Sequence, residues 1–389
     1  MTAVNATCAS RVDELVSRAR SQTGLTDFGA DTWREGLEVL VGSALSEARL
    51  NELGEQLFYG TIVRALTNRL NIEDWYARHP EIDDEEVHVE LLGVGFPRTG
   101  STALAALLGE DTSVRFLRMW EASVPCPPPG VSPEDDDARI VGAEATMAAQ
   151  DQMAARMKSM LPQSATGPFE DHDFMSLEFK AQFFLTSARL PTYASWFLAC
   201  DMEPTYRYEL RVLKLLQWKC PPNRWQLKSP THTLFLDAFE KVYPEARFVM
   251  THRDPASVLP SVSDLYSILL GIGNEDVDPL EVGDLNMEQW GAALDRVLEF
   301  RAAGRDDRFY DIGFAPFQAD PIGEIRGLYD WLGRDLTDET VARMETWRAD
   351  NPRDKHGTHE YDGAEFGITD ERLDRRFGAY RARFNSLLR

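Results

Sequence analysis

The segment from Gly93 to Thr102, which reads Gly-Val-Gly-Phe-Pro-Arg-Thr-Gly-Ser-Thr, constrains the fold of this chain more than any other. It follows an apolar run, residues 87–94, that predicts a buried parallel strand. A second apolar run, residues 103–108, comes directly after it and predicts the first turns of a helix. A strand, a glycine-bounded turn and a helix bring backbone N–H groups and a helix N-terminus to one point, where they favour an anion. We therefore expect an α/β protein with an anion-binding turn at the end of a strand.

The turn matches only part of the nucleotide-binding pattern G-x-x-x-x-G-K-[ST]. The spacing of Gly95 and Gly100 fits its first half, and Thr102 supplies the final hydroxyl. Ser101 stands where the pattern has lysine, and a cation, Arg98, lies before Gly100 instead. Because that lysine contacts the β- and γ-phosphates of a nucleoside triphosphate, its loss argues against ATP hydrolysis.

The strand predicted over residues 247–252 also lacks the expected magnesium partner. It runs into Arg253, and the following Asp254-Pro255 pair is typical of a helix N-cap with proline at the first helical position. The sequence therefore predicts a nucleotide site without a metal ion.

Composition excludes several classes of partner. The 389 residues carry a net charge of −23, which argues against nucleic acid. No apolar segment approaches 18 residues, and acidic residues stand near the N-terminus, where a signal peptide needs an apolar run. Four cysteines without C-x-x-C spacing are typical of a reducing compartment. We expect a cytoplasmic protein with no stable membrane insertion; its cysteines are Cys8, Cys126, Cys200 and Cys220.

Apolar periodicity predicts one domain with three parts. Residues 1–85 form a helical lead-in. Residues 86–270 form a nucleotide-binding core with a helical insertion at 139–218, and residues 271–389 form a helical part that includes a loop closing over the nucleotide.

A strand–helix–strand pattern lies inside the predicted core. Residues 224–228 and 247–252 are predicted strands, with a helix over 231–243 between them, so the sheet should be parallel. Residues 117–121 are predicted as a further strand. Ligands of such sheets bind at the carboxyl ends of the strands, where the glycine turn and Arg253 both fall.

Three segments together resemble the sulfotransferases that use 3′-phosphoadenosine 5′-phosphosulfate (PAPS), in particular their bacterial branch. Residues 96–102 resemble the family's 5′-phosphosulfate loop. The segment His252-Arg253-Asp254-Pro255, with Ser261 beyond it, resembles the 3′-phosphate site. Residues 225–232, Trp-Gln-Leu-Lys-Ser-Pro-Thr-His, resemble the catalytic strand of bacterial members.

The resemblance implies a three-layer P-loop NTPase-like fold, with a central parallel sheet flanked by helices and with additional N-terminal and inserted helices. It also implies sulfuryl transfer from PAPS to a hydroxyl of a small-molecule acceptor, with 3′-phosphoadenosine 5′-phosphate (PAP) as product and no metal requirement. The oligomeric state stays open, with a homodimer as one expectation.

The same resemblance assigns roles to individual residues. The turn should hold the phosphosulfate, Lys228 should approach the oxygen that bridges phosphate and sulfate, and Arg253 with Ser261 should bind the 3′-phosphate. Tyr310 is expected to contact adenine, and Lys355, with His356 and His359, to close over the 3′-phosphate. The turn residues concerned are Arg98, Thr99, Gly100, Ser101, Thr102 and Ala103.

Each role has a plainer alternative. Lys228 could pair with an acid at the rim, Arg253 could be neutralised by a local carboxylate, and Tyr310 could be a core tyrosine.

The acceptor hydroxyl needs a general base. His232 is the first candidate, because a helix N-terminus favours the neutral imidazole that a base requires. The rival is the cluster Glu170-Asp171-His172, an unusual density of titratable groups beside an aromatic segment.

The acceptor and the overall activity leave alternatives open. Methionines on the helix over residues 143–160 and aromatic residues of 174–218 would suit a lipid, sterol-like or phenolic acceptor, or else belong to the core. A small-molecule kinase or NTPase and a non-catalytic nucleotide-binding protein are the competing functions.

Overall fold

The structure is a computed structural model that describes residues 2–153, 164–352 and 361–388. Its centre is a parallel sheet of four strands in the order β2-β1-β3-β4. The strands at 224–228 and 247–252 and the strand before the glycine turn are thereby confirmed. Their bounds are β1 His88–Gly95, β2 Arg224–Lys228, β3 Arg247–His252 and β4 Phe309–Gly313.

Burial on both faces explains the continuous apolar runs of the central strands. In β1, Leu91 and Leu92 are successive residues with opposite side-chain directions, yet both are buried. In β3, Phe248, Val249 and Met250 are buried in the same way. Helices therefore cover both faces of the sheet, as the sequence predicted.

The strand predicted over residues 117–121 is wrong. Residues Met119–Ser123 form a short helix, and only a single bridge from Arg115 to Trp225 extends the sheet at this edge. The reason is local: the Glu121 carboxylate accepts a hydrogen bond from the Arg118 backbone N–H at 3.0 Å and closes a helical turn.

Residues 2–78 are largely helical, and their buried side chains pack against the rest of the chain. One buried apolar cluster contains side chains from Val12 to Phe384, so the N-terminal and C-terminal helices share a core with one face of the sheet. These first helices are α1 Thr2–Thr23, α2 Arg34–Glu47 and α3 Glu52–Arg78.

The helical insertion is more broken than the sequence suggested. Short 3-10 turns interrupt the aromatic stretch, and its rings, such as Phe184, Tyr193 and Phe197, are fully buried. These three rings belong to the core; Met157 and Met160 lie outside the described residues. The helices that follow β1 are α4 Ser101–Leu108, α5 Met119–Ser123, α6 Pro133–Met153, α7 His172–Met175, α8 Pro191–Ala199 and α9 Glu203–Gln217.

The C-terminal helices return to the sheet. The last of them places Phe377 and Tyr380 against Phe96 of the glycine turn. A 3-10 turn, Pro230–Leu234, follows β2. The helices are α10 Leu236–Val242, α11 Pro255–Gly273, α12 Pro279–Phe300, α13 Phe314–Ala319, α14 Pro321–Leu332, α15 Asp338–Asp350 and α16 Asp370–Phe384.

Helix α11 corrects the expectation that no apolar segment approaches 18 residues. Within the described part of the chain it alone is long and apolar enough to cross a membrane, with a mean hydropathy of 1.3 and 56% of that window buried. It packs against α3 and α12 and brings Ser261 to the glycine turn. Core helices pass the same length and composition test, so this feature is weak evidence for a membrane span.

Candidate active site

The glycine turn joins β1 to α4 at the carboxyl edge of the sheet. Gly95 has a φ of 112°, and a Cβ there would lie 2.8 Å from the Thr251 carbonyl oxygen, so only glycine fits. Gly100 has a φ of 88° and turns the chain into α4 at Ser101. A cleft of about 1020 Å³ opens over this helix start, and Ser101, Thr102 and Ala103 line it. The first turn of α4 thus presents its N-terminus to the cleft, as an anion site requires.

Three of the predicted residues meet beside the turn. The Arg98 Nε donates to the Ser261 Oγ at 3.1 Å, and the Arg253 Nη1 donates to the Arg98 carbonyl at 3.0 Å. Both arginines line the cleft, whereas Ser261 is buried next to it. We call Arg98, Arg253 and Ser261 the anchoring cluster. Its Arg98 guanidinium contacts the predicted 3′-phosphate residue Ser261, although the resemblance assigned Arg98 to the phosphosulfate.

A lysine–carboxylate pair lies close to the start of α4. The Lys228 Nζ is 2.7 Å from the Glu170 Oε1 and 3.5 Å from the Thr102 Oγ1. A Cβ at Gly93 on the neighbouring strand would lie 3.0 Å from the Lys228 Cγ, so the glycine leaves space for the lysine chain. Lys228 therefore pairs with an acid, as the plainer alternative for this residue predicted. That acid, Glu170, lines the cleft.

Glu170 lies between Lys228 and His172. Burial would raise the pKa of Glu170, but the Lys228 ammonium and the His172 ring lower it to about 2. The His172 Nδ1 is 3.2 Å from the Glu170 Oε2. Burial would lower the pKa of His172, yet the bond to Glu170 and nearby carboxylates raise it above its ordinary value. Glu170 is consequently an ionised carboxylate at neutral pH.

His232 lies behind the cleft and not in it. Its ring is fully buried, the Nε2 lies 2.8 and 2.9 Å from the two Asp171 carboxylate oxygens, and the Nδ1 lies 3.0 Å from the Tyr206 hydroxyl. Both ring nitrogens are thus engaged, and the ring does not line the cleft. This geometry argues against His232 as the general base and leaves Glu170, the rival candidate, which lines the cleft and pairs with Lys228.

A second histidine that sequence analysis did not single out occupies the corresponding place behind Arg253. The His252 Nε2 is 2.8 Å from the Asp311 Oδ1, and the Nδ1 is 3.0 Å from the Tyr380 hydroxyl. Burial lowers the pKa of His252 despite the neighbouring carboxylate, so the ring is neutral at neutral pH. Hydrogen bonds from Arg301 and His252 outweigh the effect of burial and lower the pKa of Asp311 to about 2.

Comparisons with known proteins decide the family. The sequence model described as the sulfotransferase family matches residues 91–338, more than half of the chain. This protein belongs to the sulfotransferase family. The predicted family and the α/β fold with a central parallel sheet are confirmed.

Two solved sulfotransferases are similar over nearly their whole length. Sulfotransferase STF9 from Mycobacterium avium is 31% identical with a TM-score of 0.87, and the match covers 96% of both chains. Sulfotransferase STF1 from Mycobacterium tuberculosis H37Rv is 29% identical with a TM-score of 0.80, and the match covers 95% of this chain and 98% of that one.

A curated relative shares a shorter region. It is the omega-hydroxy-beta-dihydromenaquinone-9 sulfotransferase Stf3 of Mycobacterium tuberculosis, 28% identical over 148 residues. These residues make up 37% of this sulfotransferase and 38% of Stf3, so the match spans well under half of that relative's length.

The remaining predicted residues of the sulfotransferase site lie elsewhere. The Thr99 side chain is buried and donates to the Phe96 carbonyl at 2.7 Å, so only its backbone is left to face a ligand. Tyr310 packs against Trp331 with ring centroids 5.7 Å apart and is a half-buried tyrosine at the edge of the core that does not line the cleft. Lys355, with His356 and His359, lies outside the described residues.

An aromatic residue that sequence analysis missed does line the cleft. Phe314 follows β4 directly, and the Arg253 guanidinium lies 4.2 Å from its ring centroid. The signal was its position just past the carboxyl end of a strand, where ligands of parallel sheets bind.

One group in the described part of the chain has the composition of a metal site: Asp171, Glu209 and His232. It is fully buried behind the cleft. Within this group, the His232 Nε2 and the two Asp171 carboxylate oxygens hydrogen-bond each other directly.

Proposed function

We propose that this sulfotransferase transfers the sulfuryl group of PAPS to a hydroxyl on a small, apolar acceptor, with Glu170 as general base. The observation that carries the proposal is the 2.7 Å contact between the Lys228 Nζ and the Glu170 Oε1, with the Lys228 Nζ also 3.5 Å from the Thr102 Oγ1 in the first turn of α4. It brings a cation for the leaving oxygen and a carboxylate for the proton within reach of one point.

Residues on the two sides of the turn suit the two phosphate groups of PAPS. The backbone of Ser101, Thr102 and Ala103 at the α4 N-terminus would hold the 5′-phosphosulfate. The anchoring cluster would hold the 3′-phosphate, for which guanidinium groups are well matched in geometry and charge. Phe314 offers a ring for the adenine, in place of Tyr310.

PAPS supplies the sulfuryl group and leaves as PAP. Glu170 accepts the proton of the acceptor hydroxyl as the acceptor oxygen bonds to sulfur. Lys228 donates a hydrogen bond to the bridging oxygen, which takes the electron pair of the breaking bond and stays on PAP. Because Lys228 is also the main cause of the low pKa of Glu170, its shift toward the donor raises the basicity of Glu170 at the moment a base is needed.

The acceptor proposed is an alcohol on an apolar body. Phe116, Leu265, Phe317 and Trp347 line the cleft near its charged residues. The name of the relative Stf3 specifies a hydroxylated menaquinone, a long apolar chain that carries a hydroxyl. We also propose a cytoplasmic location, because all four cysteines are unpaired.

The test is turnover of PAPS with a series of hydroxylated acceptors, measured as PAP release and as the mass of a sulfated product, in the presence of EDTA. We expect product with ω-hydroxylated polyprenyl quinones and with long-chain alcohols. Transfer from ATP in preference to PAPS would overturn the proposal. So would PAP binding without turnover of any acceptor in the series.

A further inference from the structure

Two buried units of the same composition lie behind the cleft, one on each side of the turn. We name Asp171, His232 and Tyr206 the transfer unit, and Asp311, His252 and Tyr380 the anchor unit. In both, the histidine Nε2 is 2.8 Å from an aspartate oxygen and the Nδ1 is 3.0 Å from a tyrosine hydroxyl. All of the histidine and tyrosine rings are buried.

The transfer unit joins the two segments that bring charge to the cleft. Asp171 directly follows Glu170, and the two side chains diverge: Glu170 lines the cleft while Asp171 is fully buried. His232 lies in the 3-10 turn that follows β2, four residues after Lys228. The hydrogen bonds from His232 to Asp171 therefore connect the Glu170 segment to the strand that ends in Lys228.

The anchor unit connects the C-terminal helix to the anchoring cluster. His252 is the last residue of β3 and directly precedes Arg253. Tyr380 on α16 contacts His252 through its hydroxyl, which the Arg253 backbone also hydrogen-bonds. Two contacts of the Tyr380 hydroxyl thus hold Arg253 at the cleft: one with the preceding residue, His252, and one with the Arg253 backbone.

The hydrogen-bond directions in each unit follow from its chemistry. The aspartate accepts from Nε2–H, so Nδ1 of a neutral ring accepts from the tyrosine hydroxyl. Burial raises the pKa of Tyr206 well above its ordinary value and raises that of Tyr380 as well, so both hydroxyls keep their protons. The tyrosine therefore fixes the ring tautomer that the aspartate needs.

The two units differ in their charged neighbours. Burial and the charge of Asp171 raise the pKa of Glu209, which lies beside the transfer unit, well above its ordinary value. In the anchor unit, Arg301 pairs with Asp311 through two bonds of 2.7 and 2.6 Å.

We infer that the two units are positioning devices with separate tasks: the transfer unit holds Glu170 against Lys228, and the anchor unit holds Arg253 at the 3′-phosphate site. This inference rests on the proposed function. Neither histidine takes part in proton transfer to or from a substrate. Each fixes the geometry of a residue that does bind or react.

Tyr206→Phe and Tyr380→Phe form a matched pair of tests, because each removes one oxygen atom and keeps the ring. Tyr206→Phe should lower kcat about three- to tenfold, the effect of one buried hydrogen bond, and leave the Kd for PAP within about twofold. Tyr380→Phe should raise the Kd for PAP about three- to tenfold and leave kcat at saturating PAPS within about twofold. Equal changes in both variants, or loss of thermal stability with both constants unchanged, would overturn the inference.

Crystal structures of His232→Leu and His232→Gln, without nucleotide, give a readout that does not depend on PAPS. A glutamine amide can still donate to Asp171, so His232→Gln should keep the contact between Lys228 and Glu170, and His232→Leu should lose it. An unchanged contact in His232→Leu would contradict the positioning role. If wild-type protein fails to bind PAP, the proposed function is wrong, and these two structures still decide the role of the transfer unit.

Discussion

The two ends of the cleft differ in the charged residues that they present and in how these residues are paired. At the anchoring cluster, two arginines contact each other through a guanidinium and a carbonyl, and a serine hydroxyl completes the group. At the transfer end, the single cation Lys228 is paired with Glu170. An end that only binds phosphate benefits from accumulated positive charge. An end that reacts needs, in addition, a group that accepts a proton, and the lysine–carboxylate pair supplies both.

Of the substitutions considered, Glu170→Gln at the transfer end should lower kcat the most. Glutamine keeps the shape and the hydrogen bond to Lys228 but cannot accept a proton, so kcat should fall by about 10²- to 10⁴-fold while PAP binding is preserved. The matched control is Glu203→Gln, at a carboxylate that pairs with Lys241 at 3.2 Å and does not line the cleft. A kcat within about fivefold of wild type for Glu170→Gln would exclude Glu170 as the base.

Lys228→Ala should have the next largest effect. Its loss removes the donor to the leaving oxygen, and the loss of one such donor lowers kcat about 10²- to 10³-fold. It also frees Glu170, whose pKa should rise, because Lys228 is the main cause of its lowering. Steady-state kinetics of Lys228→Ala should be compared with those of Lys241→Ala, which removes a lysine that is 60% exposed. The comparison separates the role of Lys228 from a general loss of positive charge.

Arg253→Ala tests the anchoring cluster, at the other end of the cleft. It should weaken PAP binding by about 10- to 100-fold, the range for a hydrogen-bonded charge, and change kcat at saturating PAPS far less. Arg247→Ala is the control, because Arg247 lies at the opposite end of the same strand and stacks on Trp331. Calorimetric titration with PAP gives the result; equal affinities for the two variants would contradict the role of Arg253.

The smallest expected effect is on stability. The pKa of Asp311 falls from 3.8 to about 2 on folding, so the paired carboxylate stabilises the protein above pH 3.8 and loses this effect as pH falls toward 2. Asp311→Asn should therefore cost roughly 2 kcal/mol in urea unfolding at pH 7 and progressively less in acid.

Asp306→Asn is the control for this experiment. Asp306 bonds the same Arg301 but is 51% exposed, so its replacement should cost less. A cost for Asp311→Asn that does not change with pH would show that lost packing, and not the charge, is responsible.

The sequence was sufficient for features that depend on local pattern. The glycine turn, the strands beside it and the Asp254 N-cap follow from apolar runs, glycine positions and a proline. Arg253 and Lys228 were identified through the resemblance, and both lie at the carboxyl ends of parallel strands, where ligands bind.

Features that depend on distant contacts were not accessible in the same way. His232 was favoured as base from its expected place at a helix N-terminus, but its ring is buried against Asp171, which lies 61 positions away in sequence. Tyr310 was expected at the adenine from the resemblance alone, whereas in the structure it packs against Trp331 and does not line the cleft. The strand predicted over residues 117–121 was wrong because Arg118 and Glu121 have the spacing of a capping box. The helical turn that this box closes outweighed the apolar pattern.

The most direct test of the account is calorimetric titration of the protein with PAP, ADP and ATP in EDTA. The anchoring cluster and the α4 N-terminus together predict that PAP binds tightly without magnesium. ADP, which lacks the 3′-phosphate, should bind at least about tenfold more weakly. Binding of ATP in preference to PAP, or equal binding of PAP and ADP, would contradict the claim that this cleft recognises a nucleotide phosphorylated at both ends of its ribose.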